Sequence, residues 1–99
     1  MDATLQMLKE LTDARAVSGF EEPARRVMRK HLEPISEIMT DNIGSIIGRK
    51  VGKAGGPKIA LAGHLDEIGF MVSRITDNGY LKFQTLGGWW EQVMLAQRV

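Results

Sequence analysis

The chain has 99 residues and a formal net charge of +1, so it is long enough for one small domain or for part of a larger one. Hydrophobic residues make up 43% and charged residues 25%, which is typical of globular proteins, and the small net charge gives no electrostatic reason to expect binding to nucleic acid or an anionic membrane. The absence of cysteine excludes disulfides and thiolate metal sites. With no apolar run of signal-peptide or membrane-spanning length, the sequence predicts a cytoplasmic protein.

The first third of the chain is predicted to be helical. Apolar residues recur every three positions over residues 3–15, which indicates an amphipathic helix. A second apolar stripe begins after Pro23, a residue that the first turn of a helix tolerates, and it predicts another helix that ends before Pro34. Ser18 and Glu21 have the spacing of a capping box at the start of this second helix.

The remainder of the chain is predicted to be rich in strands. Residues 37–52 have short β-branched runs around a turn, and they indicate a strand, a turn and a strand. The apolar run at residues 58–66 is bounded by turn signals and predicts an interior strand covered on both faces. Two further strand-like runs flank Asn78-Gly79, which is a strong hairpin signal. Residues 92–99 are again strand-like, and we expect the chain to continue beyond them in the natural protein.

A histidine and two carboxylates lie at the carboxyl end of the apolar run of residues 58–66: His64 and Asp66 within it and Glu67 directly after it. His64 and Asp66 are two positions apart, so in a strand both would face the same way. Imidazole is a common zinc ligand, and a ligating histidine usually donates its other ring N–H to a carboxylate or carbonyl. Taken alone, the pair favours a structural hydrogen bond, because metal sites need three or four protein ligands. The other histidine, His31, is expected on a solvated helix face and is given no role. The spacing of Glu67 gives no reason to make it a metal ligand.

The order and spacing of several motifs resemble those of one enzyme family. The motifs are SGFE, DNIGSIIG, KIALAGHLDEIGFMV, GYLKFQTLGGWW and MLAQRV. Together they resemble the N-terminal part of the glutamyl and deblocking aminopeptidases, metallopeptidase family forty-two, some of which carry the label endoglucanase or cellulase. The resemblance implies a cytoplasmic enzyme with peptide substrates, two divalent metal ions per subunit (zinc or cobalt), and dimers that assemble into a tetrahedral dodecamer.

The resemblance also implies roles for individual residues. His64 matches a ligand of one of the two metal ions, and Asp66 matches the supporting active-site residue that orients this histidine. Glu67 matches a recurrent position, but no catalytic role is carried over to it. The remaining ligands and the general base would lie downstream of Val99, so this segment alone is expected to be inactive.

The family fold implies how the segment is organised. It has an α/β catalytic domain, a three-layer α/β/α sandwich with a mixed sheet, into which a β-rich, PDZ-like dimerisation domain is inserted. Residues 1–72 would be the first part of the catalytic domain. Residues 73–99 would form a hairpin and the start of the inserted domain.

Two alternatives stand beside the aminopeptidase interpretation. One is a hydrolase acting on glucans, as the cellulase labels suggest, although glycosidases use a pair of carboxylates rather than a histidine with an aspartate. The other is a non-enzymatic assembly or interaction domain that binds through the region of Trp89 and Trp90.

Overall fold

The computed structural model describes residues 2–99, and it begins with the two predicted helices. Helix α1 spans Ala3–Asp13 and ends two residues earlier than predicted, because Ala14 is already extended (ψ 120°). Helix α2 spans Glu22–Leu32, with Pro23 in its first turn as predicted. None of the helices in this part of the chain is long and apolar enough to cross a membrane.

The predicted capping box at α2 is wrong. The N-cap residue is Glu21, and its side chain does not cap the helix. Its carboxylate instead accepts a hydrogen bond from the backbone N–H of Gly19 at 2.6 Å. The Ser18 hydroxyl points away from the helix and donates to the carboxylate of Asp66, 48 residues further along the chain. The hydroxyl of Ser18, which the local spacing predicts to cap the helix, therefore bonds to the distant carboxylate of Asp66 instead.

The two helices are joined by a polar cluster around Glu10. The ammonium of Lys30 contacts Glu10 Oε1 at 2.7 Å, and His31 Nε2 lies 2.9 Å from Glu10 Oε2. The side chain of His31 is only 26% exposed. The expectation that His31 lies on a solvated face is therefore wrong, because its ring contacts the carboxylate of Glu10 on the other helix.

The first hairpin forms as predicted. Strand β1 spans Glu37–Thr40 and strand β2 spans Ile46–Arg49, and the two are antiparallel. The turn between them is held by Asp41, whose Oδ1 accepts hydrogen bonds from the backbone N–H groups of Ile43 at 3.1 Å and Ser45 at 2.7 Å. This hairpin lies against α2.

The second hairpin also confirms its prediction. Strand β3 spans Gly69–Ile75 and strand β4 spans Leu81–Leu86, in antiparallel pairing. In the turn, Gly79 has φ 80°, a conformation that glycine adopts without strain. The ring of Trp89 stacks on Phe70 with centroids 4.3 Å apart. The indole N–H of Trp89 donates to the carbonyl of Gly69 at 3.0 Å, so the segment after β4 folds back onto the start of β3.

The predicted interior strand at residues 58–66 does not form. The segment has no ladder partner in the described chain, where the two sheets contain only β1 with β2 and β3 with β4. A strand without a neighbour cannot satisfy its backbone groups through a ladder. The apolar side chains of the segment are accordingly exposed, with Ile59 at 81% and Leu61 at 97%.

The strand-like interpretation of residues 92–99 is also wrong. A short 3₁₀ helix at Glu91–Val93 is followed by a turn, and the backbone N–H of Gln97 donates to the carbonyl of Met94 at 3.4 Å. Ala96 adopts φ 59°, which interrupts an extended backbone. The apolar composition of this segment therefore does not translate into strand structure.

A short parallel bridge joins the helical part of the chain to the second hairpin. Val17, in the link between the helices, pairs with Glu67, two residues before β3. Ala16 beside it is buried, and among the described residues only Ala24 is a second buried apolar residue. The architecture is a mixed α/β segment whose principal contact between its halves is this bridge, which also sets the position of His64 and Asp66.

Candidate functional site

The candidate site lies where the segment of residues 58–66 meets the link between the two helices. Two reciprocal hydrogen bonds fix this meeting point. The backbone N–H of Glu67 donates to the carbonyl of Ala16 at 2.8 Å. The backbone N–H of Ala16 donates to Glu67 Oε1 at 3.1 Å. Glu67 therefore has a structural contact that holds the neighbouring Asp66 against the link, and this contact was not foreseen from the sequence.

The predicted pairing of His64 with Asp66 is present. The imidazole Nδ1 of His64 lies 3.0 Å from Asp66 Oδ1 and 3.0 Å from the main-chain carbonyl oxygen of Asp66. The prediction that the two side chains approach each other is confirmed. The prediction that His64 ends a buried strand is wrong, since its side chain is 86% exposed.

The partners of Nδ1 determine the tautomer of His64. A carbonyl oxygen can only accept a hydrogen bond, and an ionised carboxylate also only accepts. Nδ1 must therefore carry the proton when it bonds to the main-chain carbonyl oxygen and to Oδ1 of Asp66. In the neutral ring this leaves Nε2 with a free lone pair, which is the form of imidazole that binds a metal ion.

Ser18 completes the local geometry. Its hydroxyl donates to Asp66 Oδ2, while Oδ1 faces the His64 ring. The hydrogen bond from Ser18, followed by that from His64, holds the pKa of the Asp66 carboxyl below its usual value. Asp66 is therefore an ionised acceptor at neutral pH. Sequence reasoning missed Ser18 because its spacing to Glu21 also fitted a local cap.

A metal ion would find one suitable ligand here. Among residues 2–99, no three His, Asp or Glu side chains converge in a group that could hold a metal. The donor set still fits such a role in its chemistry, because the exposed Nε2 of His64 is free to bind and its opposite nitrogen is held by a carboxylate. The described residues thus provide a single oriented imidazole rather than a complete metal site.

The sequence comparisons give a consistent set of relatives. The family model described as M42 glutamyl aminopeptidase matches residues 44–99, and a model described as AMPT matches residues 2–28. An Escherichia coli (strain K12) protein provisionally named as the aminopeptidase FrvX is 48% identical over 96 residues, 96% of this chain and 26% of the relative. The glutamyl aminopeptidase of Lactococcus lactis subsp. cremoris (strain MG1363) is 38% identical over 93 residues, 92% of this chain and 26% of the relative.

A solved structure resembles the whole segment. It is the TET aminopeptidase from the marine sediment archaeon Thaumarchaeota archaeon SCGC AB-539-E09, with a TM-score of 0.89 and 42% sequence identity. The similarity covers 97% of this chain and 27% of that chain. The chain therefore spans about a quarter of the length of the curated relatives and of the solved structure that it matches.

Proposed function

Because the chain belongs to the M42 glutamyl aminopeptidase family, we propose that it forms part of a metal-dependent aminopeptidase that removes N-terminal residues from peptides. The observation that carries this proposal is the geometry of His64, whose Nδ1 is held by Asp66 while the side chain as a whole is 86% exposed. The Lactococcus relative and the archaeal protein of the solved structure are both named as aminopeptidases, which supports the same class here.

We propose that His64 is a metal ligand and that Asp66 is the active-site residue that orients it. A bound divalent ion, zinc or cobalt, would polarise the peptide carbonyl and acidify a water. The part played by the chain itself is to present Nε2 in the correct tautomer and to prevent rotation of an otherwise exposed ring. The carboxylate of Asp66 also holds the imidazole in one orientation, which strengthens it as a ligand.

The remaining ligands of a two-metal centre and the general base are proposed to belong to the rest of a longer protein. This proposal is supported by the share of the relatives that the chain covers, about a quarter, and by the single imidazole that the described residues supply. Residues 1–72 are proposed to be the first part of the catalytic domain. Residues 73–99, with most of the second hairpin, are proposed to lead into an inserted PDZ-like dimerisation domain.

The whole protein is proposed to be cytoplasmic and to assemble through dimers into a dodecamer. The resemblance of its motifs to those of cytoplasmic aminopeptidases supports the first point. The solved TET aminopeptidase supports the second through its similarity over 97% of this chain. The exposed apolar side chains of Ile59 and Leu61 are proposed to pack against other parts of the longer protein.

The glucan-hydrolase alternative receives no support from the site. Hydrolysis of glycosidic bonds requires two carboxyl groups placed on opposite sides of the scissile bond. Asp66 instead pairs with an imidazole and a hydroxyl, and its lowered pKa keeps it ionised. Its geometry is that of an orienting acceptor rather than of a general acid.

The experiment that tests the proposed function measures release of p-nitroaniline from amino-acid anilides by the full-length protein. Hydrolysis should be abolished by a chelator and restored by zinc or cobalt. The same protein should release no reducing sugar from a soluble β-glucan. Hydrolysis of the glucan without hydrolysis of any anilide would refute the aminopeptidase assignment, and the absence of both activities would favour an interaction domain instead.

A further inference from the structure

We propose that Ser18 is a positioning residue for His64, acting through Asp66. This inference rests on the proposed role of His64 as a metal ligand and adds a residue to it. The hydroxyl of Ser18 donates to Asp66 Oδ2, and the imidazole of His64 donates to Oδ1 of the same carboxylate at 3.0 Å. Each carboxylate oxygen therefore has its own donor, and the plane of the group is fixed from both sides.

The backbone around Ser18 holds its hydroxyl in place. Residues 17–20 form a turn in which the backbone N–H of Phe20 donates to the carbonyl of Val17 at 2.7 Å. Gly19 occupies the third position with φ 87°, as a type II turn requires. The reciprocal bonds between Ala16 and Glu67 place this turn beside Asp66. Ser18 is thus supported by backbone geometry independently of the hydrogen bond that it makes.

The exposure of His64 explains why such support matters. Its side chain is 86% exposed, so packing does little to restrain the ring. The main-chain carbonyl of Asp66 is enough to keep the proton on Nδ1, because a carbonyl only accepts. The carboxylate adds orientation and negative charge, and Ser18 keeps it from rotating out of reach. Removal of the hydroxyl should therefore loosen the ring without changing its tautomer.

The test uses zinc alone and the full-length protein with its metal first removed. Ser18→Ala should weaken zinc binding by about tenfold, the lower end of the range for groups that orient a ligand, and should lower kcat more than it raises KM. Ser18→Thr keeps the hydroxyl and should restore both. Ser18→Val has the shape of threonine but no donor, so it should behave like Ser18→Ala and serves in its place if Ser18→Ala does not fold.

Ser36→Ala is the matched control. Ser36, like Ser18, donates its hydroxyl to an oxygen of the protein, in this case the main-chain carbonyl of Leu32 at 2.7 Å. It lies at the start of the first hairpin, outside the candidate site. This variant should lose some stability and retain zinc affinity. In the metal-free protein, ¹⁵N spectra of His64 should show Nδ1–H in wild type and in Ser18→Ala, with greater ring mobility only in Ser18→Ala.

The outcomes separate this inference from the proposed function. If His64→Ala abolishes zinc binding at its site while Ser18→Ala binds zinc as tightly as wild type, the role of Ser18 is refuted and that of His64 stands. If His64→Ala itself leaves zinc binding unchanged, the proposed function fails as well. An equal loss of affinity in Ser18→Ala and Ser36→Ala, or no rescue by Ser18→Thr, would reduce Ser18 to a structural residue.

Discussion

Glu67 and Ala16 bind each other twice, through the backbone N–H of Glu67 to the carbonyl of Ala16 and through the backbone N–H of Ala16 to the carboxylate of Glu67. Ala16 is 2% exposed, so its N–H has little access to water. The pair therefore links the loop that carries Ser18 to the residue that follows Asp66. Glu67, which has no role by sequence matching, is a structural anchor of the candidate site.

The first prediction concerns the side-chain half of this pair. Glu67→Ala should lower the free energy of unfolding by about 1–3 kcal/mol, because it leaves a buried backbone N–H without an acceptor. Glu67→Gln keeps a carbonyl oxygen at the same place and should cost less. Amide hydrogen exchange at Ala16 should become faster in Glu67→Ala than in Glu67→Gln, and equal rates in the two variants would show that the contact does not exist in solution.

A second prediction concerns the close approach of Val17 to Gly69. A methyl group on Gly69 would lie 2.7 Å and 2.8 Å from the two γ-carbons of Val17, well inside van der Waals contact. Gly69→Ala should therefore destabilise the protein by about 1–3 kcal/mol, as overpacking does. The measurement is the denaturant midpoint of unfolding.

Two further variants make this prediction specific. Val17→Ala combined with Gly69→Ala should recover part of the loss, because the clashing carbons are removed. Gly52→Ala is the control, since a methyl group there meets nothing within 4 Å. The close approach is disproved if Gly69→Ala is no more costly than Gly52→Ala.

The third prediction is a pH dependence of stability due to Glu10. Hydrogen bonds from Lys30, then Gln6 and His31, lower the pKa of Glu10 to about 2 in the folded protein from 4.5. Because the folded pKa is depressed, the stabilisation is complete above pH 4.5 and is lost as the pH falls from there towards 2. The measurement is the thermal midpoint of the metal-free protein over this range.

Variants of Glu10 and of Lys30, which contacts it, identify the group that causes the fall in thermal midpoint with pH. Glu10→Gln should flatten the decline in thermal midpoint below pH about 4.5, because the titrating group is gone. Lys30→Met should reduce the decline only in part, since Gln6 and His31 still contact Glu10. A decline of the same size in Glu10→Gln as in wild type would show that other carboxylates are responsible.

The sequence predicted those elements whose partners are close along the chain. Both helices and both hairpins appear, since the apolar periodicity of the helices and the Asn78-Gly79 turn are local signals. The prediction of a strand at residues 58–66 was wrong because a strand needs a neighbouring strand to pair with, and composition does not show whether such a neighbour is present. Residues 92–99 failed because their apolar character does not distinguish a strand from a tight turn.

The candidate site was predicted only in its local part. The two-residue spacing and the resemblance to known enzymes pointed to His64 and Asp66, and the contact between them exists. Ser18 and Glu67 were not foreseen, because their partners lie about 50 residues away along the chain. His31 was misjudged for the same reason, since its carboxylate partner belongs to the other helix.

The fourth prediction separates the carboxylate of Asp66 from its carbonyl. Asp66→Asn removes the negative charge but leaves the main-chain oxygen that lies 3.0 Å from His64 Nδ1. Metal affinity should fall by about 10–100-fold and activity with it, while the tautomer of the ring is retained. Competition titration with a zinc indicator checks this value. Unchanged affinity would mean that the carboxylate does not orient the ring, and a complete loss would mean that the carbonyl does not contribute.

We propose that His64, and not the other histidine of this chain, binds a catalytic metal ion. The direct measurement is a titration of the metal-free full-length protein with zinc, in wild type, His64→Ala and His31→Gln. We expect His64→Ala to lose high-affinity binding of at least one ion per chain and nearly all peptidase activity, whereas His31→Gln should keep both. Wild-type zinc binding in His64→Ala would contradict it.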